Sequence, residues 1–293
     1  MKPFDRILFP FDFSEAAEAM AAAVAAMARR FNASVTVVNA FNLVHDYNLA
    51  PSFDAFDGSD PSPVPYTTAF QELRLERERK LQDILRTRLP NIDGKAVLVD
   101  GEPALAVEWL ARREKTDLIM MPSKGLGKFR RMLLGSITAK VLHDLDCPVF
   151  TSAHDPRQGM ASPFRCQSIL CAVKFHPAHE ALLRMTATLA RVFNARVCLL
   201  HVYSKDDEQN RVETMNSIRR TFEQVSEAEE NLNIPARERI MDAAIPESIR
   251  QAAIEEDADL VIVGRGCERE TVSFIWSHLY SIIRESPCPV LSV

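Results

Sequence analysis

The sequence is a duplication. Ile7-Leu-Phe-Pro-Phe-Asp-Phe-Ser14 aligns with Ile169-Leu-Cys-Ala-Val-Lys-Phe-His176, and Phe31-Asn-Ala-Ser-Val35 aligns with Phe193-Asn-Ala-Arg-Val197 at the same offset. Further on, Asp117-Leu-Ile-Met matches Asp259-Leu-Val-Ile and Cys147-Pro-Val matches Cys288-Pro-Val, both at smaller offsets. The second copy is therefore shorter, mainly around the long segment Asn42–Tyr66, a lid or a disordered loop. We expect domains at residues 1–153 and 168–293, joined by a Pro-, Ser- and Asp-rich linker at 154–167 that holds Pro156, Gly159 and Pro163.

Within each copy, short β-rich apolar runs alternate with longer helical patterns. The first copy reads as strand at Arg6–Phe11, helix at Ser14–Phe31, strand at Ser34–Phe41 and helix at Thr67–Leu89. It continues with strand at Lys95–Asp100, helix at Pro103–Lys115, strand at Asp117–Met121, helix at Ser136–Asp144 and strand at Cys147–Ser152. Strands buried on both faces and separated by helices make an α/β fold of two doubly wound, mainly parallel five-stranded sheets. Ser14 reads as a simple N-cap, because Ala17 stands where a capping box needs Glu. Phe70, Leu73, Leu81, Ile84 and Leu85 form one stripe that covers the sheet, with Glu76 and Lys80 paired on the outer side.

A length of 293 residues, 47% of them apolar, suits two ordinary cores. The net charge of -5 provides no broad basic field, which argues against wrapping nucleic acid or lying on an anionic membrane. No long uninterrupted apolar run exists, and Met1–Asp5 lacks a signal-peptide pattern, so a cytoplasmic protein is expected. The six cysteines contain no CxxC pair and read as reduced structural thiols. His176, His179, Cys267 and His278 invite a metal reading, but no paired ligand set completes it. His201, inside an apolar strand, reads as a satisfied interior histidine.

Chemistry concentrates in two places. Asp12 ends the first strand, where a carboxylate accepts hydrogen bonds from ribose hydroxyls or an adenine amino group, or else caps the following turn. After the fourth strand, Pro122-Ser-Lys-Gly-Leu-Gly-Lys-Phe-Arg-Arg131 carries two glycines and four cations, then leads to Gly135-Ser136-Ile137-Thr138 at a helix start. Glycine lets a phosphate approach the main chain, and the helix N-terminus adds amides and partial positive charge. No GxxxxGK[ST] loop is present, and Gly125-Leu-Gly127 follows the fourth strand rather than the first, which excludes a P-loop motor and a dinucleotide fingerprint.

These residues resemble the universal stress protein family, here as a tandem pair spanning nearly the whole chain. The opening Ile7–Ser14 is similar to that family's first strand, and Gly101-Glu-Pro103 to its turn into the third helix. The family's nucleotide signature is Gly, two residues, Gly, nine residues, Gly, then Ser or Thr; Pro122, Gly125, Gly135 and Ser136 occupy those places. Pro122 departs from it and cannot donate an N–H. The resemblance implies a Rossmann-like, adenine nucleotide α-hydrolase-like fold with a pseudo-two-fold axis, the halves pairing through Cys147–Ser152 and Pro289–Val293. It implies adenine against Pro10, Phe11 and Ala40, and Asp12 at the ribose or base. Met121, Pro122, Ser123, Lys124 and Gly125 would line sugar and phosphates, with Gly135, Ser136, Ile137 and Thr138 on the phosphate chain.

In the second copy Lys174 replaces Asp12, Gly264-Arg-Gly266 is one residue shorter before its second glycine, and Trp276-Ser277 replaces Gly135-Ser136. The expectation is therefore a regulatory, stress-responsive protein with one competent adenine nucleotide site, for ATP or else ADP or AMP, with Mg accompanying the nucleotide. A homo-oligomer and a protein partner are further expectations. No catalytic residue is specified; a slow ATPase and a ligand-free interaction module are the alternatives.

Overall fold

The computed structural model describes residues 3–41, 64–123, 134–152, 164–174, 179–203, 210–228, 234, 236–241, 244–265 and 272–293, with the backbone alone for 64–70 and 272–277. The first copy runs β1 (Arg6–Pro10), α1 (Glu15–Phe31), β2 (Ser34–Phe41), α2 (Val64–Arg88), β3 (Gly94–Asp100), α3 (Pro103–Glu114), β4 (Leu118–Pro122), α4 (Ser136–Asp144) and β5 (Val149–Ser152). The second runs β6 (Ser168–Ala172), α5 (His179–Phe193), β7 (Arg196–Val202), α6 (Arg211–Ala228), β8 (Ala236–Met241), α7 (Ile245–Glu255), β9 (Leu260–Val263), α8 (Val272–Glu285) and β10 (Val290–Ser292).

The expected five-stranded halves join edge to edge in one ten-stranded sheet, in the order β3-β2-β1-β4-β5-β10-β9-β6-β7-β8. Every pairing inside a half is parallel, as right-handed crossovers through helices require. Helices cover both faces. One core layer lies under α1, α2, α5 and α6, and the other under α3, α4, α7 and α8.

Local chemistry explains the element ends. Ser14 Oγ accepts from the Ala17 amide at 3.1 Å and starts α1, while Asn32 in the left-handed region (φ 47°) ends it. The Glu76–Lys80 pair forms at 2.6 Å on the solvent side of α2, and Leu81 is fully buried beneath. The matched aspartates of the repeat share one task. Asp117 Oδ2 accepts from the Asp5 and Arg6 amides at 3.0 and 2.9 Å, and Asp259 Oδ2 accepts from those of Gln167 and Ser168 at 2.7 and 3.0 Å. Each carboxylate thus ties the start of its fourth strand to the start of its first.

Some boundaries differ from the sequence reading. β5 begins at Val149, not Cys147, and α2 begins at Val64, inside the expected loop; residues 42–63 lie outside the described ones. The end of the expected linker is docked in the core, where the Phe164 ring meets Phe150 and Phe193 edge-on at 5.7 and 5.9 Å. Among the described residues no helix is long and apolar enough to cross a membrane.

The halves meet at an antiparallel ladder in which Thr151, Phe150 and Val149 face Val290, Leu291 and Ser292. Thr151 Oγ1 donates to the Val290 carbonyl at 3.3 Å, and Ser292 Oγ donates to that of Val149 at 3.2 Å. Arg265 reinforces the seam from the second half. Its guanidinium donates to the carbonyls of Leu142 and Ser292 at 3.3 Å each, and to those of Leu145 and Cys147. Tyr280 adds a hydroxyl bond to the Ala139 carbonyl at 3.2 Å. Replacing Arg265 with Met would leave several carbonyls at the seam without a donor, and we expect a loss of about 3 kcal/mol. Urea midpoints check this, with Arg237→Met, on an 82% exposed side chain, as the control expected to stay within about 0.5 kcal/mol; equal midpoints for both variants and the parent would refute the role.

Candidate functional site

In the order β3-β2-β1-β4-β5 the winding direction switches between β1 and β4, and a crevice opens beyond their carboxyl ends. Successive side chains on a strand point to opposite faces. Leu8, Val38, Ile119 and Met121 belong to the core layer under α3 and α4, so Pro10 and Ala40, two residues beyond Leu8 and Val38, face the same way. Pro10, Ala40 and Met121 thus form one small wall across β1, β2 and β4, and the first two are half-buried.

Phe11 does not join that wall. Its ring is buried in the opposite layer, edge-on to Phe9 and Phe13 at 5.4 Å each. Its amide donates to the Val38 carbonyl at 2.8 Å and its carbonyl accepts from Asn39 Nδ2 at 2.7 Å. Phe11 braces the crevice from behind. Asn39 Oδ1 in turn accepts from Arg77 Nη1 at 3.1 Å, and the Arg77 guanidinium lies 4.8 Å from the Phe41 ring centroid. The sequence reading missed this support; its one signal is an asparagine inside the apolar run of β2.

Asp12 opens the turn into α1. Its Oδ1 accepts from the Ser14 amide at 3.1 Å and from Ser14 Oγ at 2.5 Å, and Ser14 passes the chain on to Ala17. Phe13 between them sits at φ 60°, a conformation costing about 1–3 kcal/mol in a residue with a Cβ. The capping reading of Asp12 is therefore realised on one oxygen. Neither bond uses Oδ2, so the ligand reading retains the other.

Across the crevice, Pro122 closes β4 beside Ser152. The Ser123 amide donates to the Ser152 carbonyl at 3.0 Å, and the Ser123 carbonyl accepts from the Gly135 amide at 2.8 Å, pinning together the two ends of residues 124–133. Lys124 and Gly125 lie within that segment, outside the described residues. Thr138 Oγ1 donates to the Pro122 carbonyl at 3.1 Å. The Gly135 amide and the Thr138 hydroxyl are thus committed to holding the loop. Gly135 caps α4 without a side-chain hydrogen bond, which leaves the first-turn amides of Ser136, Ile137 and Thr138 as the helix-end donors. Ser123 Oγ is buried and has no hydrogen-bond partner among the described residues. A buried hydroxyl in that state costs about 1–3 kcal/mol unless something meets it.

A model of the universal stress protein family matches residues 3–151 and again residues 166–293. The chain belongs to that family, as two of its domains in tandem. A universal stress protein of Thermus aquaticus is 34% identical over 148 residues, 50% of this chain and 96% of that protein. The solved structure of a universal stress protein from Archaeoglobus fulgidus DSM 4304 superposes with a TM-score of 0.71 at 22% identity, covering 98% of this chain and 95% of that one. A functionally unknown protein from Pseudomonas aeruginosa PAO1 gives a TM-score of 0.63 at 13% identity, covering 99% and 92%. At those identities the two structures bear on fold alone.

The second universal stress domain repeats the strand ends but not the donors. The Arg265 amide donates to the Val293 carbonyl at 2.9 Å, as Ser123 does to Ser152, so Arg265 stands where Ser123 stands in the first. Its side chain is spent on the seam. Helix α8 begins at Val272, so the place of Gly135-Ser136, taken by Trp276-Ser277, lies inside the helix rather than at its start. There the amides are bonded to the preceding turn. Lys174, in the place of Asp12, is exposed.

His176 and Cys267 lie outside the described residues, and the four-residue metal grouping as a whole lies outside them too. His201 Nδ1 donates to the Val173 carbonyl at 3.1 Å, as an interior histidine should. Burial pushes the Cys147 thiol up to about 11 and those of Cys171, Cys198 and Cys288 up to about 12. These thiols stay protonated at neutral pH and are poor nucleophiles. Because the folded values lie above the unfolded one, their contribution to stability is complete below about pH 8.5 and is lost as pH rises toward 11–12. Alkylation with iodoacetamide at pH 8 should spare these four in the native protein and modify all of them in urea, as read by peptide mass spectrometry.

Proposed function

We propose that this universal stress protein is a regulatory ATP-binding protein with one competent site, in residues 1–153. Supporting it is the different start of the two corresponding helices. α4 begins at Gly135-Ser136 beside the strand ends and offers uncapped amides, whereas α8 runs through the equivalent place. A phosphate chain takes the amides of Ser136, Ile137 and Thr138, with Lys124 and Gly125 contributed by the loop. Ser123 Oγ meets the sugar or first phosphate, which removes its unpaired state. The ribose or base takes Asp12 Oδ2, and adenine lies on the wall of Pro10, Ala40 and Met121, with Phe11 fixing the strand end behind it.

In this reading the bound nucleotide acts as a signal, with slow hydrolysis as the alternative. Among the described residues no group of three or more His, Cys, Asp or Glu side chains could hold a metal ion. In this reading Mg accompanies the nucleotide on its phosphates.

Denaturing freshly purified protein should release about one adenine nucleotide per chain. ATP with Mg should raise the stability of nucleotide-free protein by mass action, by about 2.7 kcal/mol at a hundredfold excess over the dissociation constant. Gly135→Trp, which copies the second domain, should abolish both effects, and Asp12→Ala should weaken binding by about tenfold. A melting curve indifferent to millimolar ATP would refute the reading, and two nucleotides per chain would refute its asymmetry. Phosphate release that tracks the protein and disappears in Gly135→Trp would establish slow hydrolysis instead.

A further inference from the structure

The outward stripe of α3 reads Glu102, Leu105, Trp109, Arg112, at intervals of three, four and three residues. That spacing keeps Leu105, Trp109 and Arg112 in one row along the helix, with Glu102 at its N-cap. Leu105 is 53% exposed and Trp109 50% exposed, an uncommon state for two large apolar groups one turn apart. The Arg113 guanidinium lies 4.9 Å from the Trp109 ring centroid and steadies the indole from one side.

The fold does not demand this row. Strand-start alignment of Asp117 with Asp259 places Glu247 at the position of Leu105, Gln251 at that of Trp109 and Ile254 at that of Arg112, on the matching face of α7. The buried positions agree, since Ala106, Val107, Leu110 and Ala111 correspond to Ser248, Ile249, Ala252 and Ala253. Apart from Ala106 against Ser248, it is the outward residues that differ in kind.

The row is complementary to itself when turned end for end. Acid, aliphatic, aromatic, base, set against its own reverse, places Leu105 on Trp109 and Glu102 on Arg112, twice over. We propose that two copies of the chain associate about a two-fold axis through α3, the helices antiparallel. The arrangement buries both apolar groups, brings opposite charges together at each end and opposes the helix dipoles. Glu102 caps α3 by accepting from the Leu105 amide at 2.9 Å and pairs with Lys140 at 3.5 Å, while Arg112 pairs with Glu108 at 3.1 Å and donates to the Asp144 carbonyl at 3.2 Å; their side chains stay 45% and 63% exposed, so each still presents charge to a partner. One helix from each copy buries less than a standard interface of about 1,600 Å², so the dimer is reversible. The inference stands apart from nucleotide binding.

Sedimentation velocity of the full chain, over a concentration series into the hundreds of micromolar, tests it. The parent protein should pass from monomer to dimer, and Trp109→Glu and Arg112→Glu should each weaken the dimer by at least about tenfold. Gln251→Glu, on the matching face of α7, should leave it unchanged. Circular dichroism melts verify that the variants fold, and Arg112→Glu retains the test should Trp109→Glu fail. A parent protein monomeric throughout, a dimer indifferent to both α3 changes, or equal sensitivity to Gln251→Glu would overturn the proposal.

Discussion

The antiparallel join of β5 and β10 is the contact on which the architecture rests. Each is a short strand, and by itself such a ladder is weak. It holds because it is continuous with both core layers: Phe150 and Leu291 lie in one, Val149 and Val290 in the other. Two hydroxyl bonds and the Arg265 guanidinium then satisfy carbonyls that the ladder leaves over. A sheet edge exposes unpaired backbone groups and invites other chains. Here the two inner edges close on each other, and the remaining edges, β3 and β8, stand at the far ends of the sheet.

The unequal starts of α4 and α8 have a local cause. Gly135 and Ser136 are poor at extending a helix backward, since glycine loses the most backbone freedom and serine competes for nearby backbone bonds. Val272-Ser-Phe-Ile-Trp276 carries no glycine or proline to interrupt a helix, and α8 begins at Val272, before the place of Gly135-Ser136. The same sheet, with the same strand ends, therefore presents free amides in one domain and a closed ladder of helix bonds in the other. Chemical difference follows from where a helix starts.

The pairing of halves through their last strands came from the family resemblance, whereas periodicity and the repeat revealed the strands and their parallel character within each half, because these follow from local pattern and from where apolar residues must go. Ser14, the Glu76–Lys80 pair and His201 were legible for the same reason. Phe11, placed against adenine by the resemblance, is turned by side-chain alternation into the core under α1. Asn39 with Arg77, and Arg265 with its carbonyls, could not be read in advance. Their partners are distant in sequence and become neighbours only once the chain has folded. The double duty of Asp12 was half legible: the turn is local, the free oxygen is a matter of geometry.

Tandem duplication releases a constraint that a symmetric homodimer cannot escape. In such a dimer one residue type fills both equivalent positions, so a seam arginine would necessarily displace the small hydroxyl at both strand ends. Here Ser123 and Arg265 occupy equivalent places and do different work, one leaving a buried donor beside the crevice and the other bracing the join. The outward faces of α3 and α7 diverge in the same manner, apolar at Leu105 and Trp109 but polar at Glu247 and Gln251. On the proposed function, a second domain without open amides is free to serve the first as scaffold. Its helix start and its arginine are each compatible with that division of labour.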